Sequence, residues 1–345
     1  MAPRQFLTFR WKSITSNWTP SDWASYATRR LNFLLQTHFV CSSREMEARL
    51  SDFSIKPNPR CDPHHLTTAR TNLRLQTLST SPVPLYALPN RYVDSLKDTI
   101  ARKEYLHNSF DKFTRYKLCG EIAEKVIFTS METSQNLSLQ PHDLGRVTQI
   151  GNYKTNNPLD TYAFLPFLHS SGTYKVAVIG IEVKNIREWI YPDSVEIWKA
   201  LKACLDLHCT PIIINRAFHF TSFPFFRDIG VLGHETNKQY FVYDLRKDPD
   251  FQAIKDELYY RDIIPWRVTK KGIKPDPPIV TFFTTTVPRM IERTIERFEL
   301  NKPLLLQYAP GPLHREETTV EERSKLMNEF RNAYKQYHSL PRIGW

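Results

Sequence analysis

The run Tyr174-Lys-Val-Ala-Val-Ile-Gly-Ile-Glu-Val-Lys184 constrains this chain more than any other stretch. Its β-branched interior predicts a buried strand that closes on Glu182-Val183-Lys184. Tyr191-Pro-Asp-Ser194 then opens a helix, with Asp193 and Glu196 spaced as a capping box. The helix carries the apolar stripe Ile197, Trp198, Leu201, Cys204 and Leu205. Thr210-Pro211 ends it, and Ile212 to Asn215 predicts a second short buried strand. Two strands joined through a helix form a βαβ unit, expected to be parallel and right-handed. Side chains alternate along a strand, so Glu182 and Lys184 share one face and Val183 points the other way. An acid and a base at the end of a core strand are costly to bury and are usually kept for a metal or for chemistry.

The flanking sequence extends this unit. Leu159 to Phe167 predicts a strand that Asp160 opens, after the turn Asn156-Asn157-Pro158. Ser170-Ser-Gly172 turns it back into strand 174–184. Another strand is expected over 145–151. A helical segment over 92–128, with a break near His107, carries Cys119, Ile122, Ala123, Val126 and Ile127 at helical spacing. Thr19-Pro20-Ser21-Asp22 starts an N-terminal helix that runs to about Phe39. Residues 56–90 are rich in Pro, Thr and Ser and read as linker or irregular surface. A strand over 239–244 and helices over 248–260, 286–300 and 319–337 complete the reading. The expected division is a helical extension and linker at 1–90, an α/β core at 91–245 and a mostly helical appendage at 246–345.

The 345 residues carry a formal charge of +11, which favours polyanionic partners such as nucleic acid. No apolar run is long enough to span a bilayer, so no membrane association is expected. The five cysteines are odd in number and irregular in spacing, which argues for a reducing, cytoplasmic compartment. Cys41, Cys61, His64 and His65 lack the paired spacing of a zinc site, and Cys204, His208 and Cys209 read as packing residues. The basic stretch holding Arg4, Arg10 and Lys12 has transit-peptide composition, but Trp11, Trp18 and the lack of a cleavage site speak against it.

Pro158-Leu-Asp160, Glu182-Val-Lys184 and the helix–strand pair that follows resemble the PD-(D/E)XK, or restriction-endonuclease-like, nuclease superfamily over about residues 105–245. The resemblance implies a mixed central sheet flanked by helices, and a metal-dependent endonuclease acting on DNA. Phosphodiester hydrolysis needs a nucleophilic water and a sink for phosphate charge, which Mg²⁺ or Mn²⁺ supplies through hard oxygen ligands. Asp160, Glu182 and the Val183 carbonyl are the expected metal ligands, and Lys184 would orient water or steady the phosphate. The preceding helix offers Glu121 or Glu124. Lys117 and Lys125 flank Glu121 as an ion-pair face, whereas Glu124 borders the apolar stripe, with Gly120 one turn away to let the helix approach the sheet. Periodicity therefore favours Glu124. His142, His219 and His234 need no catalytic role.

Arg187, Lys199, Lys202, Arg216 and Lys238 are candidate phosphate contacts. Trp189 and Tyr191 are candidate stacking residues, and Trp198 is expected in the core. Restriction-like folds are often dimers, so a homodimer is a further expectation. The competing readings are a catalytically inactive nucleic-acid-binding module of the same fold, and an α/β scaffold whose Glu182–Lys184 pair is structural.

Overall fold

The computed structural model describes residues 18–52, 61, 63–89, 91–115, 117–135, 137–139, 146–219, 221–269 and 272–338. The basic N-terminal stretch, Lys56-Pro-Asn-Pro-Arg60 and His142 lie outside them. The chain forms two compact units in place of three consecutive segments. One comprises 1–115 with 244–263, the other 116–243 with 264–345.

The first unit holds helices Pro20–His38, Pro63–Asn72, Lys97–Arg115 and Pro249–Glu257, with a small antiparallel sheet of Cys41–Ser42, Leu85–Ala87 and Gln76–Ser79. Thr19 caps the first helix through a reciprocal box with Asp22, and Asp248 caps the last by accepting from Asp250 N and Phe251 N. Both caps follow from the local sequence. Part of the stretch expected as a linker contributes to the core. Leu66 and Ala69 recur at helical spacing and are buried with Leu31 and Leu35, while Leu85 and Ala87 are buried in the central strand of the small sheet. Sparse apolar residues at the right period outweigh a Ser/Thr-rich composition. Buried Glu45 is held by Lys103 at 2.5 Å and Arg49 at 2.9 Å.

The second unit is built on a mixed five-stranded sheet. Its strands are β1 (Ser138–Leu139), β2 (Thr161–Leu168), β3 (Tyr174–Lys184), β4 (Thr210–Asn215) and β5 (Leu232–Glu235), in the spatial order β5-β4-β3-β2-β1. β1 and β3 pair antiparallel with β2, and β4 and β5 continue in parallel from β3. Gly172, at φ +80°, turns β2 into β3, with Gly172 N–H donating to His169 O. A ribbon of Val147–Ile150 and Tyr153–Leu159 leads into β2, so Asn156-Asn157-Pro158 is strand rather than turn. The helices are α1 (Lys117–Ser134), α2 (Val195–Leu207), α3 (Ser222–Ile229), α4 (Val287–Tyr308) and α5 (Val320–His338). The break expected near His107 does not occur: His107 lies inside the helix Lys97–Arg115. The box expected from Asp193 and Glu196 does not form; Ser194 is the cap residue, and its hydroxyl accepts from Tyr191 N.

Two apolar layers sandwich the sheet. Ala177, Ile179, Ile181, Ile212 and Ile214 face α1 through Ile122, Ala123, Val126 and Ile127. On the opposite face, Ile213 packs with the α2 stripe Ile197, Trp198, Leu201 and Cys204. Gly180 points into this second layer, where a Cβ would lie 2.5 Å from Cys209 Sγ and 2.7 Å from Leu159 Cδ1. α4 contributes Val287 and Ile291 to the first layer and Phe298, Leu304 and Leu305 to the second. The C-terminal helices are therefore part of the core of this unit rather than an appendage.

Candidate active site

β3 outlasts its antiparallel partner. Pairing with β2 ends at Thr161↔Ile181, whereas pairing with β4 continues through Glu182↔Ile213 to Lys184↔Asn215. Asp160 occupies the bend between the ribbon and β2, one residue beyond the last pair, and not the strand itself. Its Oδ2 accepts from Val183 N–H at 2.6 Å, in the place where a ladder bond from β2 would otherwise fall. A strand residue's N–H and C=O leave the backbone on the same side, so the Val183 carbonyl also faces Asp160.

Glu182 is buried and Lys184 half-buried, on the α2 side of the sheet as alternation requires. Lys184 Nζ stands 2.5 Å from Glu182 Oε1. The other carboxylate oxygen, Glu182 Oε2, is buried and has no hydrogen-bond partner. α1 packs on the opposite face, yet Glu124 lies within electrostatic reach of Asp160, Glu182 and Lys184. Glu121 pairs with Lys125 at 3.7 Å, which leaves Glu124 as the acid of α1 that faces the cluster. Gly120 plays no part in that approach. It is exposed, and a Cβ there would meet only Glu124 Oε1 at 3.9 Å.

The electrostatics record an excess of negative charge. Burial pushes the Glu182 carboxyl up to about 7, reinforced by Asp160 and opposed by Lys184. Burial also raises Asp160, against the Val183 N–H, Lys184 and Arg146, which favour its charged form. Glu124 is raised by burial and then by Asp160 and Glu121. Burial works against the Lys184 ammonium, but Glu182 beside it more than compensates and holds its pKa above the ordinary lysine value. Three carboxylates thus share one ammonium and the more distant guanidinium of Arg146. Nothing in the sequence around Arg146 marks it for this role.

Among the described residues, no group of three or more His, Cys, Asp or Glu side chains is arranged to hold a metal ion. The donor set that is present consists of two carboxylates with a carbonyl on the same side. That fits a hard cation which keeps several of its waters and takes only one or two protein carboxylates. The orphaned Glu182 Oε2 is the atom such an ion would satisfy.

Asn185 is a second residue that the sequence does not single out. Its Nδ2 donates to Cys119 O at 2.8 Å and to Tyr240 O at 2.7 Å, and its Oδ1 accepts from Tyr240 N at 2.8 Å. It thereby ties the end of β3 to the first turn of α1 and sets where Glu124 stands.

The basic residues expected to touch phosphates are engaged elsewhere. Lys202 pairs with Asp206 and Lys199 with Glu316, each at 2.5 Å, and Lys238 pairs with Asp276 at 2.6 Å. Arg216 is buried and donates to the Arg187 carbonyl, and Arg187 is itself buried. Tyr191 and Trp189 lie against His219, and Trp198 is fully buried. No protein-family model, no curated protein and no solved structure matches this chain.

Proposed function

We propose that the chain is a metal-dependent phosphodiester hydrolase acting on DNA, with a sheet of restriction-endonuclease-like topology. The observation that carries this reading is the buried, unpartnered Glu182 Oε2, on a carboxylate within electrostatic reach of Asp160, in a notch with more carboxylates than cations. Asp160, Glu182 and the Val183 carbonyl would hold Mg²⁺ or Mn²⁺, which when bound supplies an acidified water and a counter-charge for the phosphate. Lys184 donates to a non-bridging phosphate oxygen and steadies the charge that builds as water adds to phosphorus and one ester oxygen leaves with a proton. Glu124, its pKa raised by burial and by Asp160, orients the attacking water. The five cysteines are free and buried, which supports a reducing compartment. No helix among the described residues is long and apolar enough to cross a membrane.

A specific observation favours an inactive nucleic-acid-binding module as the second reading: the Lys184 ammonium is already tied to Glu182 at 2.5 Å. Two measurements separate them. Purified protein with Mg²⁺ or Mn²⁺ should nick DNA, and Glu182→Gln or Lys184→Ala should lower the rate by at least about a hundredfold with the fold intact. The ion should also raise the melting temperature of the wild type and leave Glu182→Gln unmoved. A wild type that binds DNA but neither cleaves it nor responds to either ion would establish the inactive module.

A further inference from the structure

A second charged feature lies at the β5 edge of the sheet, two strands across from β3. It is a recess of about 240 Å³ walled by α3, the start of β5 and α4. Four arginines line it: Arg227 from α3, and Arg289, Arg293 and Arg297 from α4. The three on α4 are four residues apart, so they stand on one face at a rise of about 6 Å each. Glu292 and Glu296 stand one turn from Arg289 and Arg293 on the adjoining stripe of the same helix. Glu292 is occupied there, accepting from Ser170 N and approaching His169.

The arrangement is built into the packing. Gly230, at φ +77°, has no room for a side chain, because a Cβ would lie 2.2 Å from Phe298 N and 2.5 Å from Thr294 O. Only glycine lets α3 close on α4 there. The contact is fastened by Arg297 Nη1 donating to Arg227 O at 2.5 Å and by Asn301 Nδ2 donating to Asp228 O at 2.9 Å.

Arg289 and Arg293 are poorly neutralised. Arg227 Nε stands 3.4 Å from Asp228, and Arg289 and Arg293 form no ion pair among the described residues. Burial, followed by the charge of Arg293, holds the Arg297 pKa below the ordinary arginine value. Phe226 and Phe282 lie at the floor of the recess, and Phe223, 39% exposed, stands at its rim.

We propose that this recess binds a single strand of nucleic acid, with phosphates on Arg289, Arg293 and Arg297 and a base against Phe223. A narrow recess with arginines in file and an aromatic at its rim matches the groove-and-platform design of single-strand binding. A lipid surface would call instead for a broad, outward-facing patch. The site does not depend on hydrolysis at Glu182.

The test is fluorescence anisotropy of a labelled single-stranded oligothymidylate, in chelator so that no cleavage contributes, across a salt series. Wild type should bind in chelator, where no hydrolysis occurs, so failure of the hydrolase reading would leave this result standing. Arg289→Ala with Arg293→Ala should weaken binding roughly tenfold and flatten the slope of log affinity against log salt by about 1.4. Phe223→Ala should weaken binding roughly tenfold with the slope unchanged. The double variant binding like the wild type would overturn the proposal. So would an equal loss in Lys325→Ala, on the exposed face of α5. Binding to phosphatidylserine vesicles but not to the oligonucleotide would overturn it as well.

Discussion

At the residue scale, the chemistry of a side chain here is set by who shares its neighbourhood. Glu182 and His234 both sit in low-dielectric surroundings and are pushed in opposite directions, because burial penalises the charged form of each. His234 stacks on Phe282 with ring centroids 4.4 Å apart, and its Nε2 is buried without a partner. Burial lowers its pKa to about 4, with Asp276 opposing and Lys238 assisting. The unfolded chain therefore binds the imidazole proton more readily than the native one between about pH 6.5 and 4, and native stability falls as pH drops through that window. His234→Phe keeps the ring and removes the proton site. Relative to the wild type, this variant should gain on the order of 2 kcal/mol between pH 7 and pH 4, read from urea midpoints at each pH. A constant difference across the range would refute the assignment. Glu182, Lys184 and Asp160 are legible in sequence because their types are unusual for a strand end. Arg146 and Asn185 are not, because a loop arginine and a post-strand asparagine are commonplace until a carboxylate and two carbonyls are brought to them.

At the element scale, the strands and helices of the second unit follow closely from local pattern. Strand 174–184 and the helix–strand pair after it coincide with β3, α2 and β4 to within two residues. β5 is missed, since Leu232-Gly-His-Glu235 has neither alternation nor β-branched residues. It is a strand because the edge of β4 offers it a ladder, in the register Leu232↔Ile212. The glycine that permits close packing is also misplaced by sequence. Gly120 is exposed, while Gly180 is the one that lets Leu159, Cys204 and Cys209 meet β3. Gly180→Ala should cost about 1–3 kcal/mol, because the layer between β3 and α2 must shift to admit a methyl group. The check is a lowered denaturant midpoint with an unchanged slope. Wild-type stability in this variant would show that the layer is looser than its contacts indicate.

At the scale of the whole molecule, the order of the chain is not the order of the units. Helix Pro249–Glu257 returns to the first unit 134 residues after the end of its neighbour Lys97–Arg115 (249 − 115 = 134). There Phe251 is fully buried and meets Phe113 edge-on at 5.8 Å, while Arg102 grips Glu257 at 2.7 Å. The exposed ion pair is worth about 1 kcal/mol or less, so the aromatic carries the attachment. Phe251→Ala should remove about 3–5 kcal/mol from the first unit. Amide exchange should accelerate across Pro20–His38 and Lys97–Arg115 while β2, β3 and β4 keep their protection. Equal loosening of both units would mean that they unfold as one.

The sequence by itself determined the βαβ unit, the Thr19 and Asp248 caps of two helices in the first unit, the shared face of Glu182 and Lys184, and the absence of a membrane-length apolar helix among the described residues. Those are consequences of backbone periodicity and of hydrogen bonds between near neighbours, which act over a few residues. Only the tertiary structure decided which lysines are consumed by ion pairs, and that Arg227 lines one recess with three arginines whose nearest, Arg289, is 62 residues further along the chain (289 − 227 = 62). Charge acts through space rather than along the chain, so its pairing is fixed only when packing has set the distances.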